Sequence, residues 1–262
     1  MKPLLVPIKR LESEYYPLRF PKSMAHKKYS AVIFDGCNFN CPFCFESNRN
    51  PDGTPRQNLG MINLTKVIDF AIQEVEKGNP IEITGGEPTL YPEAVYELIK
   101  AIKNIGGYVN LATNGSKPEI VRELAGQVDC LGLDVKSVQQ KINFYTSKEK
   151  ELSFSNPVKV LQESSNYGCA VHFKRIMFES TTFDEIEFFY PLARHAYWIF
   201  KQLRPFPNSS HSPANQKLLN PMPSFTLNRL VSEFVTKHPE LEGRVVSIAG
   251  GSGRHSKNYT YW

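Results

Sequence analysis

Three cysteines within eight residues, Cys37, Cys41 and Cys44, carry the clearest chemical signal in the chain. Thiolates spaced C-x3-C-x2-C can converge on one soft metal centre. Four ligands close a structural zinc or iron–sulfur site, whereas three leave a corner for a substrate or cofactor. A histidine in the fourth position would instead complete a structural zinc knuckle.

Other residues able to do chemistry stand where apolar runs end. Ile81 to Thr84 leads into Gly85-Gly86-Glu87-Pro88, Tyr108 to Ala112 into Thr113-Asn114-Gly115, and the run from Cys130 into Asp134-Val135-Lys136. Glycines at 85 and 86 let backbone groups approach a ligand closely. Glu87 can accept a charge-assisted bond from an ammonium, or cap the next turn. Thr113 and Asn114 offer hydrogen bonds, or form a plain Asn-Gly turn. Asp134 and Lys136 read as a ligand-facing pair, with an exposed ion pair of little worth as the bland reading. His172, Lys174 and Gln202 lie on later strands that can face the barrel mouth, but read as structural or solvent-facing rather than as ligands, and Arg204 as a better site candidate. His26, His195, His211, His238 and His255 are scattered and read as surface residues. There is no nucleophile–base pair, HExxH or phosphate loop.

The elements that must position these residues alternate. Strands are expected at 31–35, 81–84, 108–112, 130–135, 170–177 and 196–203. The intervening helices open at Asn63, at Pro92, at a capping box Ser116-Lys117-Pro118-Glu119, at Asn156-Pro157 and at Thr182, the last split by Pro191. Six alternating strands imply right-handed crossovers and a parallel sheet. Every chemical motif falls at a strand's C-terminal end, the reactive face of a (β/α) barrel. Six units instead of eight make the expected α/β fold a partial barrel, open on one side. A Rossmann-like sheet is the rival, and its Gly-x-Gly-x-x-Gly turn is absent. Around the core at 31–205, residues 1–30 read as a proline-interrupted basic arm. Residues 45–62 read as a long loop, and 206–262 as a C-terminal extension with a helix near Leu227–Phe234 and a short strand at 245–248.

The 262 residues, 41% hydrophobic and 12% aromatic, can fill one large α/β core. No apolar run approaches a bilayer span and no signal peptide is read, so a cytoplasmic protein without membrane contact is expected. Five cysteines with three clustered do not form a secreted disulfide framework. Cys130 and Cys169 read as small buried hydrophobes. Residues 1–30 hold seven Lys/Arg against Glu12 and Glu14, an excess of five that equals the net charge of the whole chain. That arm reads as a solvated extension more readily than as a nucleic-acid contact.

The cysteine triplet, with Phe43 just before its third member, and Gly85-Gly86-Glu87-Pro88 at the second strand end together resemble the radical S-adenosylmethionine (radical SAM) superfamily. The resemblance implies a partial (β/α)6 barrel and a [4Fe–4S] cluster on Cys37, Cys41 and Cys44. Its fourth iron would chelate the amino and carboxylate groups of SAM. One electron passed to the sulfonium would give methionine and a 5′-deoxyadenosyl radical, which removes a hydrogen atom from the substrate. SAM would be held by Phe43 at the adenine, by Gly85, Gly86 and Glu87 at the ammonium, by Thr113 and Asn114, and by Lys136 with Asp134 at the carboxylate. Within the superfamily, Thr113-Asn114-Gly115, Asp134-Val135-Lys136 and Gln202-Leu203-Arg204-Pro205 are similar to activating enzymes of glycyl-radical proteins. That likeness implies a glycine on a partner enzyme as substrate and an electron donor such as flavodoxin or ferredoxin. Superfamily chemistry on a small molecule, nucleoside or peptide is the alternative. Maturases with auxiliary clusters are disfavoured because no C-terminal cysteine cluster is present. One departure is Ala112, where activating enzymes usually carry an Asp that helps bind a monovalent cation.

Overall fold

Strand and helix boundaries follow the apolar rhythm closely. The computed structural model describes residues 4–15, 28–39, 41, 44, 59–136, 155–203, 220–250 and 258–262. In chain order the strands are β1 (Leu5–Tyr15), β2 (Tyr29–Phe34), β3 (Gly60–Asn63), β4 (Ile81–Gly85), β5 (Val109–Thr113), β6 (Cys130–Asp134), β7 (Ala170–Met177), β8 (Tyr197–Gln202), β9 (Val245–Ala249) and β10 (Asn258–Tyr261). The helices are α1 (Leu64–Glu76), α2 (Pro92–Asn104), α3 (Pro118–Ala125), α4 (Ser155–Glu163), α5 (Phe183–Ala193) and α6 (Ser224–Lys237).

All ten strands join one sheet in the order β10-β9-β8-β7-β6-β5-β4-β2-β1-β3. From β2 through β9 the pairing is parallel, and antiparallel strands close both ends. Helices follow the parallel strands, giving the open α/β arrangement expected of a partial barrel. Alternate side chains divide between its two faces. Ile83, Leu111, Leu133, Phe173 and Phe200 join the helices in the main core. Thr84, Ala112, Asp134, Lys174 and Lys201 face the concave side. No helix among the described residues is long and apolar enough to cross a membrane.

Several sequence expectations need correction. Part of the N-terminal arm is a strand: residues 5–15 pair with both β2 and β3, burying Val6 and Ile8. The supposed long loop ends in β3 at residues 60–63. The C-terminal extension supplies β9, a seventh parallel strand. The capping box does not form: Lys117 occupies the N-cap of α3 without a side-chain bond, because the Ser116 hydroxyl is buried against Asn38. Pro191 does not split α5, which runs unbroken to Ala193; so near the helix end the ring costs little more than one backbone bond. His238 is buried and bonded to Glu187, and His195 is half-buried against Ser164, so neither is a surface residue. Cys130 is fully buried in β6, as a small hydrophobe would be.

Candidate active site

The end of β4 can lie against β2 only because residues 85 and 86 lack side chains. Gly85 adopts φ +124°, and a Cβ there would stand 2.2 Å from the Phe34 carbonyl oxygen. At Gly86 a Cβ would come within 1.8 Å of the Gly36 carbonyl oxygen. Gly86 N–H donates to Phe34 O at 2.9 Å and Glu87 N–H to Gly36 O at 2.8 Å. These two bonds fasten the backbone immediately before Cys37. The bare backbone they present admits the neighbouring strand, and both glycines also line the cavity that holds the cysteines.

Glu87 is fully buried. Its Oε1 accepts from Thr89 N (3.1 Å), Thr89 Oγ1 (2.6 Å) and Thr113 Oγ1 (2.6 Å), and its Oε2 from Asn114 N (2.7 Å). The carboxylate thus caps the 3-10 turn at Pro88–Leu90 and clasps the end of β5 to β4. Burial pushes its carboxyl above the usual range, against the four bonds that favour the charged form.

Cys37, Cys41, Cys44, Asp134 and Lys136 line one cavity of about 250 Å³ at the C-terminal ends of the parallel strands. Burial pushes the Cys37 thiol up to about 11 and Cys41 to about 12, while the Lys136 ammonium pulls both the other way. Lys136 Nζ stands 3.4 Å from Asp134 Oδ2. Burial works against the Lys136 charge, but Asp134 and the thiols of Cys41 and Cys44 more than offset it and raise its affinity for a proton. Burial likewise opposes the Asp134 charge, and the ammonium groups of Lys136, Lys174 and Lys201 hold that carboxyl below its ordinary value.

Of the residues expected at the site, Gly85, Gly86, Glu87, Thr113, Asn114, Asp134 and Lys136 line this cavity with the three cysteines. Phe43 and Arg204 lie outside the described residues. Gln202 also lines the cavity, with both ends of its amide bonded to the backbone: Nε2 donates to Met222 O (2.6 Å) and Oε1 accepts from Gly250 N (2.6 Å). His172 is fully buried, edge-on to Tyr197. Lys174, in contrast, reaches into the cavity. It lies across Gly132, where a Cβ would sit 2.7 Å from its Nζ. Glu82, bonded by Asn110 Nδ2 at 2.5 Å, and Lys201 also line the cavity and were not expected. Alternation along β7 places Lys174 two residues from His172, but only the register with Asp134 on β6 shows that it faces inward. Ala112, in place of an acid, leaves the wall beside Gly132 equally bare.

The sequence profile described as the Radical SAM superfamily matches residues 31–190. The chain belongs to the radical SAM superfamily. A Methanocaldococcus jannaschii protein named "Putative glycyl-radical enzyme activating enzyme" is 36% identical over 113 residues, spanning 42% of this chain and 44% of that protein. A 7-carboxy-7-deazaguanine synthase of Methanothermobacter thermautotrophicus is 31% identical over 126 residues, spanning 48% of this chain and 49% of the relative. This radical SAM chain thus matches only about half the length of these curated relatives. Among solved structures, anSMEcpe with bound AdoMet superposes with a TM-score of 0.59 at 17% identity, covering 81% of this chain and 61% of that one. At that identity the likeness is one of fold.

The cofactors of the family are a [4Fe–4S] cluster and SAM, and the residues present fit both. Three cysteines open onto a single cavity that no described histidine lines. The Asp134–Lys136 pair beside the cysteines offers an ammonium of the kind that a carboxylate requires.

Proposed function

We propose that this radical SAM enzyme cleaves SAM reductively and uses the product to take a hydrogen atom from a glycine of a partner polypeptide. The observation that carries the first half is the convergence of Cys37, Cys41 and Cys44 with Asp134 and Lys136 on one cavity at the strand ends. When bound, the cluster and SAM supply a 5′-deoxyadenosyl radical. The chain's own residues bind, orient and exclude water. Cys37, Cys41 and Cys44 would hold three irons and leave the fourth open to the amino acid end of SAM. Lys136 would pair with the SAM carboxylate, kept in place by Asp134. Glu87 acts by fixing the ends of β4 and β5, since four protein donors already occupy its carboxylate. An electron donor such as flavodoxin or ferredoxin would supply the electron.

The similarity to the named activating enzyme supports glycine as the substrate. A second reading, a small molecule bearing an anionic group, is favoured by the Lys174 ammonium housed over Gly132 on the cavity wall. It is supported also by the similarity to a deazaguanine synthase. Isotope transfer separates the two. A candidate partner protein labelled with deuterated glycine should pass deuterium into 5′-deoxyadenosine and show a glycyl EPR doublet. Deuterium arriving only from a labelled pool of small acids would overturn the glycine reading in favour of the second.

A further inference from the structure

The Asn114 carboxamide is oriented by its neighbours. Its Oδ1 accepts the Ser116 backbone N–H at 2.9 Å. A backbone N–H can only donate, so the oxygen must lie on that side and Nδ2 on the other. From there Nδ2 donates to Asn38 Oδ1 at 3.1 Å and to Cys37 Sγ at 3.8 Å. Asn38 is fixed in turn, because its own Nδ2 donates to Ser116 Oγ at 2.9 Å. The Ser116 carbonyl is anchored by Asn156 Nδ2 at 3.0 Å. Asn38, Asn114 and Ser116 are all buried. A second donor, the Phe39 backbone N–H, meets the same sulfur at 3.3 Å. Both carboxamide hydrogens of Asn114 are therefore directed at the cysteine loop.

A hydrogen bond to a ligating sulfur stabilises the more negative state of an iron–sulfur cluster and so raises its reduction potential. Where burial keeps water from replacing the donor, the effect of losing it is largest. We propose that Asn114, held in place by Asn38 and Ser116, sets the potential at which the cluster on Cys37 accepts its electron. Cys37 takes the bond directly, whereas Asn38 is a positioning residue acting through Asn114. The proposal rests on the cluster reading above and holds for either substrate.

The test is an anaerobic redox titration of the reconstituted full chain without SAM, following the EPR signal of the one-electron-reduced cluster with dithionite as reductant. Asn114→Asp keeps an acceptor for the Ser116 N–H, removes both Nδ2 hydrogens and adds a charge that itself lowers the potential; Asn114→Ala removes the side chain and adds none, so a shift in both assigns it to the lost bond. Both should lower the reduced-to-oxidised ratio at the wild-type midpoint roughly tenfold, about 59 mV for one electron. Asn38→Ala keeps the Asn114 side chain but removes the Oδ1 that anchors its Nδ2, and should shift the midpoint in the same direction by less. A merely structural role would reduce the amount of cluster without moving the midpoint of what remains. Unmoved midpoints in Asn114→Asp and Asn38→Ala would overturn the proposal, whether or not Asn114→Ala folds. A wild-type chain that takes up no cluster would sink the cluster reading itself, and this inference with it.

Discussion

Gly86→Ala should strip the cysteine loop of its metal. The new Cβ would fall 1.8 Å from the Gly36 carbonyl oxygen, a backbone atom that no rotamer change can move. The end of β4 must then part from β2, losing the bonds from Gly86 N to Phe34 O and from Glu87 N to Gly36 O. Forced overpacking against backbone costs about 3 kcal/mol or more. Because Gly36 directly precedes Cys37, the displacement is passed to the ligands themselves. Disturbing the support of a metal ligand typically weakens metal binding by roughly 10–100-fold. Iron per chain and visible absorbance after anaerobic reconstitution would report this. A fully loaded Gly86→Ala protein with wild-type melting would show that the two strand ends are not coupled to the cluster as described.

Glu87→Ala should be the most damaging polar substitution at the site. Two backbone N–H groups and two threonine hydroxyls would lose their acceptor in a fully buried position. Leaving such donors unsatisfied costs about 1–3 kcal/mol each in isolation, and a total of about 3–5 kcal/mol is expected once the turn relaxes. Glu87→Gln keeps the shape but presents an NH2 to at least one donor, for about 2 kcal/mol and a melting point lower by roughly 4–8 °C. The melts should be recorded without cluster or SAM, so that lost ligand binding cannot mimic the effect. Unchanged melting in both variants, with SAM affinity alone reduced, would return Glu87 to the ligand role that its sequence motif suggests.

Much of the architecture was legible because its signals are local. Asn63 caps α1 by accepting from Thr65 N at 3.0 Å, and each chemical motif stands at the strand end where the apolar run stops. β1 was hidden because Pro3 and Pro7 break the rhythm of its start, although Val6 and Ile8 alternate inward. The site was legible in membership and not in wiring. The contact between Asn114 and Cys37 joins residues 77 apart, and the reason for Gly86 lies in Gly36, just past the end of β2. Such pairs depend on sheet register, which periodicity does not reveal. Ser116 shows local preference overridden: the capping pattern is present, but the hydroxyl is taken by Asn38. Lys174 could be placed near the barrel mouth from its strand position, but not in detail, since a bare Gly132 on the next strand is what lets its ammonium fold into the barrel.

The most direct measurement is SAM cleavage by the anaerobically reconstituted full chain under dithionite, followed as 5′-deoxyadenosine. The wild-type chain should be brown, bind iron and release 5′-deoxyadenosine and methionine. Replacing Cys37, Cys41 or Cys44 by Ala should abolish both the colour and the product. A chain that takes up zinc and no iron, or that binds iron and never cleaves SAM, would contradict the account.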